Sequence, residues 1–223
     1  VNNDFAGIKN WFNEFYARDT SRKIRAVQKA KGERGVPLTV NVPYGYVKDP
    51  ETPKHWLVDP EAAAIVKRIF SMCMEGRGPT QIANQLWEDK VLNPTAYKLS
   101  HGRSTNAPAP EDPYRWDKRA VSLILERREY TGCTVNFKTY TNSIWDKKRH
   151  LNPAENQAIF PDTHERIIDD DVFEKIQEIR GQRHRMTRTG KSSIFSGMVY
   201  CADCGSKMQY GSSNNRDFNQ DFF

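Results

Sequence analysis

The chain has 223 residues and a formal net charge of +6 at pH 7, with 34 Lys and Arg against 28 Asp and Glu. This length is enough to bury one main core, and the short apolar runs predict neither a membrane span nor a signal peptide. Four irregularly spaced cysteines are typical of a reducing compartment rather than a disulfide-rich secreted protein. This pattern favours a bacterial or nuclear interior over secretion, and of these we expect the bacterial cytoplasm.

The positive charge is concentrated in two segments. Residues 18–34 hold seven basic and two acidic residues and carry +5, and residues 180–191 hold five basic residues and no acid. The rest of the chain is therefore net negative, so the pattern favours a polyanionic partner such as nucleic acid over two solvated charge runs. The predicted contact residues in these segments are Arg22, Lys23, Lys29, Lys31, Arg34, Arg183, Arg185, Arg188 and Lys191.

The first basic segment continues a predicted helix over residues 8–31, which nothing interrupts before Gly32. Its N-terminal half carries one apolar stripe at helical spacing, formed by Ile8, Trp11, Phe12, Phe15 and Tyr16. An exposed stripe of this kind needs a core or a second copy of the helix as its partner. Beyond it, residues 32–37 predict an extended segment in which Gly35, beside Arg34, can enter a narrow minor groove.

A compact domain is predicted to begin near Pro43. The Pro43-Tyr-Gly-Tyr46 turn and the Trp56-Leu-Val58 run predict a short hairpin. Asp59 is the expected N-cap of a helix whose apolar face ends at Cys73, a predicted core residue. After Gly78-Pro79-Thr80 a second helix is predicted to run to Lys90, so the pair resembles the start of a helix-turn-helix.

Residues 93–115 contain four prolines and are predicted to form a loop. Asp117 then caps a predicted helix over residues 117–126. Its core contacts are predicted to be Val121, Leu123, Ile124 and Leu125. A recognition helix presents its first turn to base edges, and Arg suits a bidentate contact with guanine. The predicted DNA-contacting residues here are Arg115, Lys118, Arg119 and Ser122, the alternative being an ordinary surface turn.

Residues 131–139 alternate as in a strand, with Cys133 predicted to be buried, and residues 140–166 predict a polar connection, either a wing or a loop. His164 is expected to make a structural hydrogen bond. A last helix is predicted from the Asp169-Asp-Asp171 run. Its predicted buried residues are Val172, Phe173, Ile176 and Ile179.

Cys201-Ala-Asp-Cys204 is a C-x-x-C knuckle, which normally supplies two of the four ligands of a structural zinc ion. Cys73 and Cys133 lie far upstream, and no Cys or His follows Cys204. We therefore expect the other ligands to belong to a longer protein of which this sequence is a part. Lys207, just after the knuckle, is a further predicted DNA contact.

Several motifs, in this order, resemble the region downstream of the catalytic domain in large serine recombinases, also called serine integrases and transposases. They are Asn13-Glu-Phe-Tyr-Ala-Arg-Asp-Thr-Ser-Arg-Lys-Ile-Arg25, Pro43-Tyr-Gly-Tyr46, Trp56-Leu-Val-Asp59, Gly78-Pro-Thr-Gln-Ile-Ala83, Tyr130-Thr-Gly132 and Tyr200-Cys-Ala-Asp-Cys-Gly205. The resemblance spans nearly the whole chain, and six motifs in order are far more specific than any one of them.

The resemblance implies an α+β fold with a long N-terminal helix, a mixed helix and sheet recombinase domain with a helix-turn-helix-like element, and an incomplete zinc β-ribbon. The implied domains are residues 1–34, 35–183, 184–193 and 194–223. It further implies recognition of double-stranded attachment-site DNA, self-association, and zinc held partly by Cys201 and Cys204 in the full-length protein. No catalytic residue is assigned, and the chain alone is expected to be inactive in strand cleavage.

Two other classes remain open from the residues. A helix-turn-helix transcriptional regulator with a zinc ribbon shares the basic segments, but it does not need an apolar helix at the N-terminal side. An enzyme unrelated to nucleic acid is disfavoured, because no phosphate-cradling glycine loop, catalytic triad or paired-carboxylate pattern is present.

Overall fold

The computed structural model describes residues 6–39, 41–103, 105, 107–143, 145–146, 148–182, 193–195, 198–208, 210–214 and 219–222. The chain divides into two compact units, the first ending at Phe173 and the second beginning at Glu174. Among the helices of the described residues, none combines the length and apolarity that a membrane crossing requires.

The helices of the described residues are α1 (Ala6–Glu33), α2 (Pro60–Met74), α3 (Pro79–Glu88), α4 (Pro94–Ser100), α5 (Lys118–Glu126) and α6 (Asp170–Gln182). The strands are β1 (Tyr46–Lys48), β2 (Trp56–Val58), β3 (Thr134–Asn136), β4 (Thr139–Tyr140), β5 (His150–Leu151), β6 (Ala158–Phe160), β7 (Gly211–Asn214) and β8 (Asn219–Phe222). Two 3-10 turns, Arg128–Thr131 and Ala154–Asn156, complete the regular structure.

The strands form small antiparallel pairs rather than one sheet. β1 pairs with β2, with Tyr46 opposite Val58, which confirms the predicted hairpin. β3 pairs with β6, β4 with β5, and β7 with β8. In the first unit, α3 packs against α5 and α2 packs against both, which forms a three-helix core.

Helix α2 begins as predicted, with Asp59 as N-cap and Pro60 in the first turn. Its buried face includes Val66, Ile69, Phe70 and Cys73, so the prediction of a core role for Cys73 is confirmed. The Asp59 carboxylate accepts hydrogen bonds from Tyr97 Oη and Arg103 Nη1, both at 2.9 Å. Burial raises the pKa of Asp59, but these two donors outweigh it and hold the pKa below its ordinary value.

The prediction that residues 93–115 form a loop was wrong for residues 94–100, which form α4, and the described residues from 101 to 115 contain no helix or strand. Asn93 caps α4, its Oδ1 accepting from the amides of Thr95 and Ala96 at 3.0 and 2.9 Å. Pro94 occupies the first helical position, where its missing N–H costs nothing. The Asn93-Pro94 pair is therefore a helix start.

Three smaller predictions also needed correction. α1 runs through Gly32 to Glu33 rather than stopping before the glycine. The predicted strand over residues 131–139 is interrupted, because Phe137 adopts a left-handed φ of 59° between β3 and β4. In α6, Phe173 and Ile176 are buried as predicted, whereas Val172 and Ile179 are only half-buried.

Candidate nucleic-acid interface

Helix α5 is fixed by its cap and by one apolar face. The Asp117 carboxylate accepts a hydrogen bond from the Arg119 amide at 2.8 Å, which confirms the predicted cap. Val121, Ile124 and Leu125 are buried and hold the helix on the core. Leu123 was predicted to join them, but it is 43% exposed. Two residues along a helix turn the side chain by about 200°, so Leu123 faces away from Val121 and Leu125.

The side chains predicted to contact DNA lie around the first turns of α5. Arg115, Lys118 and Arg119 are exposed, and Ser122 is half-buried. They therefore occupy the accessible start of a helix whose opposite face is anchored, the arrangement that a recognition helix needs. The predicted helix-turn-helix topology is less direct, because α3 and α5 are separated by a connection that contains α4.

An open groove of about 810 Å³ lies between α3 and the start of α5. Thr80, Asn84 and Trp87 line it from α3, at i, i+4 and i+7, and Arg115 and Lys118 line it from the α5 side. The helical spacing groups Trp87 with the apolar residues Ala83 and Leu86 of α3, yet the Trp87 side chain is 45% exposed. The i, i+4, i+7 spacing was the available signal for a shared exposed face.

Trp87 is held in place at the edge of this groove. Its Nε1 donates to Asp112 Oδ2 at 2.9 Å, and Lys90 Nζ lies 5.8 Å from its ring centroid and 5.6 Å from that of Tyr114. A hydrogen bond from the Tyr114 amide holds the pKa of Asp112 below its ordinary value. The groove thus presents an ordered aromatic face beside two exposed cations, and three carboxylates, those of Glu111, Asp112 and Asp117, also line it.

The basic half of α1 offers a second cationic surface. Arg22, Lys23, Lys29 and Lys31 are all exposed, as is Arg34 beyond the helix. Lys23 Nζ lies 2.7 Å from Asp19, and Lys29 Nζ lies 3.7 Å from Glu33. Exposed i,i+4 pairs contribute only a few tenths of a kcal/mol, about 0.3 to 0.5. These lysines are therefore available to an anionic partner.

The end of α1 is attached to the domain by a junction formed by Gly32, Leu38, Asn136 and Phe137. The buried Asn136 amide donates to the carbonyls of Gly32 and Val36 at 3.1 and 3.0 Å. Its Oδ1 accepts from the Leu38 amide at 3.1 Å. One side chain from β3 therefore satisfies three backbone groups on both sides of the turn that follows α1.

Close packing accompanies these hydrogen bonds. A Cβ at Gly32 would lie 2.8 Å from Phe137 Cε1 and 3.0 Å from Leu38 Cδ1, so a larger residue does not fit without displacement. Gly35 has a φ of 78°, and a Cβ there would lie 3.1 Å from the Phe160 ring. Glycine at position 35 thus has a reason within the protein, and its entry into a minor groove stays a prediction.

An ion pair between a buried carboxylate and a partly exposed lysine lies next to the junction. The Glu129 side chain is 4% exposed, and its Oε1 accepts from Lys138 Nζ at 2.6 Å. Its Oε2 has no hydrogen-bond partner among the described residues. His164 Nε2 donates to the Glu129 carbonyl at 2.8 Å, which confirms the predicted structural role of this histidine. Cys133 is also buried, as predicted.

The apolar stripe of α1 is uncovered in the described part of the first unit. Ile8, Trp11, Phe12, Phe15 and Tyr16 are each between 53% and 73% exposed. The Trp11 and Phe15 rings stack with centroids 5.6 Å apart. Packing against a core, one of the two predicted roles, is therefore not seen within these residues.

The cysteine knuckle lies in the second unit. The Cys201 amide donates to the Ser206 carbonyl, and the Gly205 amide donates to the Cys201 carbonyl, both at 2.9 Å. Tyr200 and Lys207 form a bridge that closes this turn, with Lys207 half-buried. No group of three or more His, Cys, Asp or Glu with metal-site geometry occurs among the described residues. Zinc binding by Cys201 and Cys204 stays a prediction.

The remaining predicted contacts, Arg183, Arg185, Arg188 and Lys191, lie outside the described residues. The second basic segment is consequently represented here only by its start in α6.

Known proteins share this three-helix core with small antiparallel ribbons, or parts of the sequence that forms it. The family model described as Recombinase matches residues 60–183, more than half of the chain. The chain is also 31% identical over 96 residues to "Uncharacterized protein YefB" of Bacillus subtilis (strain 168), covering 43% of this chain and 32% of that protein. The chain thus spans about a third of the length of the curated relative it matches.

Two solved structures are similar to this one. The first is described as "Sequence Requirements of the Listeria innocua prophage attP site", with a TM-score of 0.50 and 15% identity, over 90% of this chain and 71% of that chain. The second is described as "Crystal Structure of a LSR-DNA Complex", with a TM-score of 0.46 and 17% identity, over 90% and 52%.

The likeness to the first structure confirms the predicted α+β fold. The family match extends from the start of α2 into the end of α6 and therefore contains α5 and the groove. The chain belongs to the Recombinase family. The resemblance first seen in the sequence motifs is thereby confirmed.

Proposed function

We propose that this chain is the DNA-binding part of a site-specific serine recombinase. It would recognise attachment-site DNA during integration, excision or transposition of a mobile element. One observation carries the proposal beyond family membership. The exposed cations of α1 and those at the start of α5 belong to one compact unit, in which the Asn136 junction fixes the end of α1. The similar structure whose description names a prophage attP site supports the same class of ligand.

In this proposal α5 reads base edges in the major groove. Arg115, Lys118 and Arg119 stand at its accessible start, and Arg is suited to guanine O6 and N7. The neighbouring groove is lined by Asn84, Trp87 and Lys118, and it would receive a base edge of the same duplex rather than the phosphate backbone, because three carboxylates also line it. The anchored face of α5 keeps these contacts in register.

The basic half of α1 and residues 31–37 hold the DNA backbone in this proposal. Arg22, Lys23 and Lys29 would neutralise phosphates without reading sequence, and the segment after α1 would follow the minor groove. Residues 183–191 supply a further basic tether, again without base contacts. In this proposal α5 provides sequence specificity, and the basic segments before and after the domain provide most of the affinity.

A salt titration of the whole chain with duplex DNA tests the proposal. If about seven to ten phosphates are neutralised, affinity should fall by roughly three to five decades between low and moderate salt. The measurement is fluorescence anisotropy with a duplex selected from a random pool by the protein itself. A nearly flat salt dependence would contradict nucleic-acid binding by these cations.

A pair of double variants separates base reading from phosphate contact. Lys118→Ala/Arg119→Ala should weaken binding and relax base preference by about 1 to 3 kcal/mol at the positions read. Arg22→Ala/Lys23→Ala removes the same charge but should weaken all duplexes about equally. The measurement is competition between selected and scrambled duplexes. Equal losses from both variants would remove the recognition role of α5.

We also propose that the apolar stripe of α1 mediates self-association in the full-length protein. Its aromatic side chains are uncovered among the described residues, and a second copy of the same helix offers a matching apolar face. Sedimentation of the protein and of a Trp11→Ala/Phe15→Ala variant tests this. An unchanged association state in the variant would argue against the stripe.

Zinc is the expected cofactor of the whole protein. Cys201 and Cys204 fit two ligand positions, and the other two would come from elsewhere in that protein. Bound zinc would order this unit by cross-linking the knuckle to a second pair of ligands. Cys201→Ser should therefore lower the zinc content of the full-length protein. The proposal assigns no step of strand cleavage to these residues, and the serine nucleophile typical of the family would lie in a separate catalytic domain.

A further inference from the structure

The β4–β5 ribbon ends in a cationic turn whose residues have no role in the proposed function described above. The strands pair with Thr139 opposite Leu151 and Tyr140 opposite His150. The ring centroids of Tyr140 and His150 lie 5.5 Å apart. At the base of the ribbon, the backbone N–H of Asn152 donates to the Lys138 carbonyl at 2.9 Å. The ribbon is thus an ordered element joined to β3 near the Lys138 and Glu129 ion pair.

Residues 141–143, 145–146 and 148–149, here called the ribbon tip, form a built turn. Ser143 Oγ accepts from the amides of Trp145 and Asp146 at 3.2 and 3.1 Å. The Asp146 carboxylate accepts from the Lys148 amide at 2.9 Å and lies 3.0 Å from His150 Nε2. These bonds fix the backbone that carries the exposed side chains.

The exposed side chains of the ribbon tip suit a polyanion. Lys148 and Arg149 are exposed, and Trp145, which lies in the turn before them, is 64% exposed. The single carboxylate, Asp146, is turned inward onto the Lys148 amide and His150. Two outward cations beside an uncovered indole give charge for phosphates and an apolar wedge or stacking face for bases or sugars.

The ribbon lies next to the basic half of α1. Arg25 Nη2 donates to Thr141 Oγ1 at 3.4 Å, so the tip begins where that helix face meets it. Arg18, Arg22, Arg25 and Lys29 follow at intervals of four, three and four residues and therefore share one face of α1. One hydrogen bond therefore joins the cationic face of α1 to the start of the ribbon tip.

We infer that the ribbon tip is an additional DNA contact, a wing that grips the backbone of the same duplex beside the stretch held by α1. This inference rests on the proposed function and extends it to residues that sequence analysis left open as a wing or a loop. Double-stranded DNA is the occupant because the tip adjoins the cationic face of α1 through Arg25 and carries two further exposed cations of its own. Lys148 and Arg149 make the backbone contacts, and Trp145 lies against a sugar or base edge.

The test uses the whole chain and the duplex it selects from a random pool. Lys148→Ala/Arg149→Ala should lower the slope of log affinity against log salt by about 2, since each phosphate contact contributes about 0.9. Hydroxyl-radical footprinting should show one group of phosphates losing protection while the rest stay covered. Lys54→Ala/Lys67→Ala is the matched control, because it removes two exposed cations from the β1–β2 turn and α2.

The outcomes separate the two proposals. A normal slope and a complete footprint in the ribbon variant would overturn the wing and leave DNA binding by α1 and α5 intact. An equal loss of slope in the control would also overturn it, because the effect would then come from total charge. If the unaltered chain shows no salt-dependent duplex binding at all, the proposed function fails and the wing fails with it. Circular dichroism confirms that both variants are folded.

Discussion

The two cationic elements of the first unit are held in different ways. α5 is held by three buried apolar side chains, so its position does not depend on any single hydrogen bond. α1 leaves its apolar stripe exposed and is fixed at its end, where Asn136 bonds three backbone groups and Phe137 lies against Gly32. The position of α5 is therefore set by core packing, and that of α1 depends on a few polar contacts.

The largest expected effect follows from removing the junction amide. Asn136→Ala leaves two carbonyls and one amide of residues 32–38 without their partner, which should lower the free energy of unfolding by about 3 kcal/mol. Urea denaturation of the whole chain measures this. The basic segment should also loosen, so trypsin should cleave after Lys31 and Arg34 more rapidly than in the unaltered protein.

Asn10→Ala is the matched control, because Asn10 is exposed on α1 and far along the chain from the junction. It should change the stability by less than about 0.5 kcal/mol. Gly32→Ala is a second probe, which keeps the Asn136 amide and displaces Phe137. If neither junction variant speeds the cleavage after Lys31, α1 is not held by these contacts.

A smaller effect is expected from the Glu129 and Lys138 ion pair. Lys138→Met leaves the Glu129 carboxylate buried without its cation, and since Lys138 is partly exposed the cost should be about 2 kcal/mol. Adding Glu129→Gln removes the stranded charge, so the double variant should recover part of that loss. Denaturation of the two variants measures the difference.

Lys67→Met serves as the control for the change from Lys to Met, because Lys67 is exposed on α2. It should be nearly neutral. A double variant less stable than Lys138→Met alone would show that the uncompensated charge is not what destabilises the single variant.

The elements that the sequence predicts well are those defined by local signals. α2 and α5 begin at Asp59 and Asp117, where an N-cap residue precedes a clear apolar period. The β1–β2 hairpin is bounded by turn residues in the same way. α4 carried equally local signals, in Asn93 and Pro94, but the many prolines that follow favoured a loop.

The junction has no signal of that kind. Asn136 contacts residues about 100 positions earlier in the chain, and nothing in the neighbouring residues marks it as buried. The sequence suggested that Gly32 ends the helix and that Gly35 allows close approach to DNA. In the structure, Gly32 packs against Phe137 and Gly35 packs against Phe160. Contacts between distant segments decide these positions, and no local pattern of residues in the sequence marks them.

The candidate interface shows the same division. The residue types and exposure of Lys118, Arg119 and the α1 cations were predictable from charge pattern and capping. The groove beside Trp87 and the ribbon tip were not, because each depends on which elements pack side by side. Pattern analysis placed Trp87 with the apolar residues of α3, but the packing of α3 on α5 leaves it at the rim.

The smallest expected effect is a pH dependence from His164. Burial lowers the pKa of this imidazole in the folded protein, and the hydrogen bond to the Glu129 carbonyl and the charge of Glu129 only partly offset that. In the unfolded chain His titrates near its ordinary value of about 6.5, so the unfolded state binds the proton first as the pH falls. The free energy of unfolding should therefore decrease from about pH 7 downward and continue to decrease until the folded imidazole is itself protonated.

His164→Gln should flatten this slope, whatever its effect on stability at neutral pH. His101→Gln, at a part-exposed histidine beside Glu61, is the comparison variant, and urea denaturation between about pH 7.5 and 5.5 is the measurement. If His164→Gln keeps the slope of the unaltered protein, His164 is not the group that unfolding exposes to protonation.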